Sequence, residues 1–117
     1  MTPELIAEVL TIHDYMSCTY DHDNTAELMD RLTNLNVHLA RTAVILPEAE
    51  AELSSAKGRV AHLHPNESAT RLRYIIDAET VNESKFFRQI ERMNAALVHQ
   101  IDVIRTQISF IKSLARQ

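Results

Sequence analysis

Six histidines in 117 residues raise the question of a metal. They form two local groupings, His62-x-His64 and Asp21-His22-Asp23. Ligands on one helix face need a spacing such as His-x-x-x-His, and zinc sites often recruit cysteine as well. Neither grouping has that spacing, and the single cysteine, Cys18, joins neither. Glu79 and Glu83 stand four apart, hence on one face of a helix. A carboxylate metal site in a helical bundle also needs Glu-x-x-His partners on facing helices, and the chain contains no such spacing. No Ser/His/Asp grouping is evident. The single glycine, Gly58, gives no phosphate loop. The expectation is no metal, no cofactor and no catalysis.

Binding chemistry is better represented. Lys57, Arg59, His62, His64, Arg71, Arg73 and Tyr74 cluster around His64-Pro65-Asn66. Cations beside an aromatic ring suit a phosphate-bearing ligand such as a nucleotide. Glu67 lies four residues before Arg71 and would draw that cation into a local pair.

The elements that would position these residues are helices. Glu67 to Arg116 has neither proline nor glycine. Within it Leu72, Ile76, Glu79, Glu83, Phe86, Ile90, Met93 and Leu97 alternate four and three apart, a coiled-coil seam. The register slips after Leu97, where Ile101, Ile104, Ile108 and Ile111 continue it. Such a slip is a stutter, and it relaxes the supercoil locally. One helix is predicted over about 67–116, with Asn66 or Ser68 as its cap. A second is predicted over about 25–62, opened by Asn24 with Glu27 three later. Its seam is Leu32, Leu39, Leu46, Leu53 and Val60, with Leu28, Leu35, Thr42, Ala49, Ala56 and Leu63 alongside. Pro47 falls inside this pattern and predicts a kink near 47. Thr2-Pro3-Glu4 reads as cap, first-turn proline and first-turn acid for a short helix over about 3–19.

The two long seams zip antiparallel. Val60 then meets Leu72, Leu46 meets Phe86, Leu39 meets Met93, Leu35 meets Leu97 and Leu28 meets Ile104. The short helix would lay Leu5, Val9 and Ile12 on Ile108 and Ile111. Its charge agrees: residues 1–30 hold seven acids and no lysine or arginine, whereas 103–117 hold three cations and no acid. The fold class expected is all-α, a long antiparallel helical hairpin with a short N-terminal helix on its C-terminal end, as one domain over 1–117.

Each long helix has a second row at heptad spacing. On one it is Val37, Val44, Ala51 and Gly58; on the other Tyr74, Val81, Arg88 and Ala95, then Ala96, Val103 and Phe110 after the slip, with Arg88 the one charged interruption. Apolar rows that stay outside a core mark interaction surfaces, and glycine admits a close neighbour. Homo-oligomerisation through these rows is expected. The net charge of -4 argues against broad nucleic-acid binding. No apolar run is longer than that of Ala43 to Leu46, which is far too short to cross a bilayer. No signal-peptide pattern opens the chain, and a lone cysteine suits the cytoplasm.

The run Gln100 to Leu114, with Ala78-Glu79 and Glu83 upstream, resembles the C-terminal half of short helical-hairpin proteins of tailed phages and prophages. Such proteins are often encoded near single-strand annealing recombinases. The resemblance spans roughly residues 70–116. It implies an all-α hairpin in the bacterial cytoplasm, with an accessory role and no catalytic residues. The function expected is a non-enzymatic binding protein that inhibits or sequesters a host or defence component, either a protein or a nucleotide signal. The alternative is an accessory factor of recombination that contacts single-stranded DNA or its recombinase.

Overall fold

The computed structural model describes residues 2–117. Among them the elements are α1 (Pro3–Ser17), α2 (Thr25–Leu63), α3 (Ala69–Glu79) and α4 (Val81–Ala115), with no strand. The fold is an all-α hairpin of long helices, α2 and α4, with a short N-terminal helix.

Helix ends follow local chemistry. The Thr2 side chain accepts from the Leu5 amide at 3.1 Å, and Pro3 opens α1, where a missing N–H costs nothing. Asn24 Oδ1 accepts from the Glu27 amide at 3.2 Å. Glu27 does not return the bond to its own cap; its Oε2 accepts from the Asp21 amide at 2.9 Å and so ties the preceding turn to α2. Ser68 caps α3 by accepting from the Arg71 amide at 3.2 Å. Pro47 lies inside α2, which continues through it as one element.

The single helix expected over 67–116 is two elements, parted at Thr80. That residue leaves helical geometry (φ -110°, ψ 21°). Its backbone N–H donates to the Ile76 carbonyl at 3.0 Å, and its hydroxyl donates to the same oxygen at 2.7 Å. Threonine hydroxyls that bond back one turn bend helices. The ladder resumes where Ser84 donates to the Thr80 carbonyl at 3.0 Å.

Contacts divide the chain into two compact units, Met1–Thr42 with Met93–Gln117, and Ala43–Arg92. The boundary in α2 falls at Ala43, whose carbonyl Pro47 deprives of its helical donor.

In the first unit, Val9 and Ile12 of α1 are buried with Leu28 and Leu35 of α2 and Met93, Leu97, Ile101, Ile104 and Ile108 of α4. The stutter is visible here. Ile101 enters the core, while Gln100 stays half-buried as a hydrogen-bonding residue. Thr42 is fully buried, and its hydroxyl donates to Asn94 Oδ1 at 2.8 Å.

In the second unit, Ile45, Ala49, Ala56, Val60, Thr80, Phe86 and Ile90 are buried, while α3 buries no residue. On α2 the centre of the buried face is the row of Leu28, Leu35, Thr42, Ala49 and Ala56, together with Ile45. Of the row expected to lead, Leu32, Leu39, Leu46 and Leu53 are half-buried along its edge and Val60 is buried, while Leu63 of the companion row is exposed.

Candidate functional site

The seven residues expected around the turn between α2 and α3 do not converge on one cleft. Arg73 and Tyr74 line a cleft of about 220 Å³ with Ala69 and Thr70. Lys57 lines a different one with Asp77 and Arg88. Arg71 Nε lies 3.2 Å from Glu67 Oε2, the local pair that the spacing implied. His64 Nε2 lies 3.8 Å from Glu79 Oε1, a contact that becomes an ion pair on protonation. Arg59 and His62 are exposed.

The two seam glutamates separate. Glu79 faces solvent beside His64. Glu83 is half-buried, with Oε2 sealed from solvent and without a hydrogen-bond partner. Among the described residues no three of His, Cys, Asp and Glu gather as a metal site. His22 instead meets Gln107 Nε2 through Nδ1 at 2.8 Å.

The outer rows remain outside the core of each unit. In the first unit Val37, Val103 and Phe110 are 56%, 37% and 63% exposed. In the second, Val44 and Val81 are nearly half exposed, and Ala51 and Gly58 face solvent. A Cβ built on Gly58 would meet nothing within 4 Å. No contact inside the chain therefore requires glycine there.

The most elaborately built polar cluster is one that sequence reasoning missed. Arg31 is only 5% exposed. Its guanidinium carbon lies 4.3 Å from the Tyr20 ring centroid and 5.0 Å from that of Tyr15. One terminal nitrogen donates to the Met16 carbonyl at 3.2 Å and to Gln100 Oε1 at 3.3 Å. Gln100 Nε2 donates to the same carbonyl at 3.4 Å. Met16 sits in the last turn of α1, where carbonyls lack helical donors and a cation is favoured. Arg31 thus closes α1, and two aromatic faces stand in for a carboxylate. Each cation–π contact of this kind contributes about 0.5–2 kcal/mol.

A second tie joins α1 to α2. Arg41 donates from Nη2 to Glu8 Oε2 at 2.9 Å. The bond and charge of Arg41 hold the Glu8 carboxyl below its ordinary range, against a smaller opposing effect of burial. Burial lowers the pKa of neighbouring His38, against the pull of Glu8. The His38 ring packs on Tyr15 at 4.9 Å between centroids.

Among the described residues no helix is long and apolar enough to cross a membrane. No protein-family model matches the chain, and no curated protein or solved structure matches it either.

Proposed function

We propose that this chain is a non-enzymatic binding module that associates with itself and acts by occupying a partner. The observation that supports this reading is the heptad row left in solvent. Val37 lies on α2, and Val103 and Phe110 on α4, while Leu28, Leu35, Leu97 and Ile104 fill the core between the same helices. A second copy laid along these rows would form a four-helix bundle, a stable arrangement for amphipathic helices. Covering such half-exposed side chains contributes about 1–2 kcal/mol each. Association costs about 4–15 kcal/mol in lost freedom. A few such contacts per copy give a weak, concentration-dependent complex.

The resemblance to phage hairpin proteins supports a host or defence component as the partner. The test is sedimentation equilibrium at micromolar concentration. Wild type is expected to exceed the monomer mass, and Phe110→Asp to return to it with helix content unchanged. A monomeric wild type, or a Phe110→Asp protein of unchanged mass, would refute the association. A pull-down from infected cells that recovers no specific partner would count against the occupying role.

A further inference from the structure

Lys57 of α2 and Arg88 of α4 open onto one cleft of about 270 Å³, completed by Asp77, Thr80, Val81 and Ser84. Neither cation has a carboxylate within ion-pair distance among the described residues. Asp77 shares the lining but does not neutralise it, since two positive charges face one negative. The Thr80 hydroxyl is engaged with the Ile76 carbonyl. The Ser84 hydroxyl has no such bond and is available as a donor.

The break at Thr80 adds to this. Val81, Asn82 and Glu83 begin a new helix, and the first amides of a helix have no acceptor within that helix. Val81 and Ser84, from that first turn, line the cleft. Amides at a helix start favour an anion. The feature that singles out this place is the meeting of two unpaired cations from different helices. Arginine offers a planar fork to tetrahedral oxyanions, and lysine a mobile point charge.

We propose that this cleft binds a phosphoryl group, with Arg88 and Lys57 holding its oxygens and the Ser84 hydroxyl donating to it. The site differs from the cluster expected from sequence, with which it shares only Lys57. It goes beyond self-association and does not depend on it. Both cations are solvent-exposed, so salt will weaken binding.

The test is an amide NMR titration of the full chain with sodium phosphate, set against sodium chloride at matched ionic strength. Saturable shifts confined to residues near 57 and 77–88 are expected with phosphate and not with chloride. Losing a charge-assisted hydrogen bond corresponds to about tenfold or more in affinity. Arg88→Gln should weaken binding by about that factor, Lys57→Gln by somewhat less, and Asp77→Asn should strengthen it. Adenosine monophosphate and adenosine distinguish the source. A nucleotide site binds the monophosphate more tightly than phosphate, a simple phosphate site binds both alike, and adenosine alone shifts nothing. Because Val81 and Arg88 belong to both surfaces, Phe110→Asp is titrated in parallel; it should bind phosphate normally even where self-association is lost. Shifts reproduced by chloride, or an unchanged midpoint in the folded Lys57→Gln, Arg88→Gln double variant, would overturn the proposal.

Discussion

The two units of this chain are built from similar helices and bury different things. In the first, α1 adds a third helix, and the core takes in Val9, Ile12, Leu28, Leu35, Leu97 and Ile104, along with Thr42 and even Arg31. In the second, α3 buries nothing, and Leu53, Leu72 and Ile76 are only half-covered. The same heptad chemistry therefore gives a core closed by a third layer in the first unit, and in the second a seam closed at Ile45, Phe86 and Ile90 but half-wet along α3. Polar residues follow suit. Arg31 is sealed between aromatic rings, while Glu79 stays in solvent beside His64.

That contrast is most easily broken by truncation of the two cores. Ile104→Ala removes a fully buried side chain and should cost about 2–5 kcal/mol. Leu72→Ala removes a half-buried one and should cost about 1 kcal/mol, since only part of its transfer free energy is at stake. Urea denaturation of both variants measures this, and equal losses would erase the distinction between the units. Next in size is Arg31→Ala, which deletes two aromatic contacts and a charged bond to the end of α1. A loss of about 2–4 kcal/mol is expected. Arg31→Lys should not restore it, because an ammonium lacks the plane that both rings face.

Thr80→Ala sharpens the comparison from the other side. It removes the hydroxyl bond to Ile76 and should let α3 and α4 merge, changing stability by no more than about 1 kcal/mol. Hydrogen exchange should show Val81, Asn82 and Glu83 gaining protection. No gain at these amides would mean that something other than the hydroxyl causes the break.

The smallest effect is pH dependence at the attachment of α1. The Glu8 carboxyl is held low by Arg41, so its contribution is present above the ordinary value of 4.5 and lost as pH falls through the lowered one. The pKa of His38 is lowered by burial, so the unfolded chain binds its proton more readily. Stability therefore falls as pH drops below the ordinary 6.5. Both effects make stability rise from acid towards neutrality. The Glu8–Arg41 pair is partly exposed, and the gain should stay below about 1 kcal/mol. His38→Gln should flatten the limb near 6.5 and Glu8→Gln the acid limb. Melting profiles unchanged by either would show that these groups do not govern it.

Much of this was legible in the sequence because caps and heptads are local. Thr2, Asn24 and Ser68 mark helix starts within three residues, and the apolar rows lie at fixed spacing. The stutter near Gln100 was legible for the same reason. Thr80 was not, because a threonine inside a helical pattern bends the chain only if its hydroxyl turns back. Arg31 was hidden because its partners Tyr15, Tyr20 and Gln100 are remote in sequence and come together only once α1 docks. The two clefts at the α2–α3 end were misread for a related reason. Sequence proximity gathered Lys57 with Arg73 and Tyr74, whereas helix geometry turns Lys57 towards Arg88.

The claim that solvent-facing heptad rows bring copies together has a direct test in the first unit. In a Cys18→Ser background, Val103→Cys places a thiol on the proposed row, and Asp102→Cys places one on another exposed face of the same helix. Under mild oxidation at micromolar concentration, Val103→Cys is expected to give a covalent dimer rapidly and Asp102→Cys slowly. Equal rates, or no dimer from Val103→Cys, would contradict the claim.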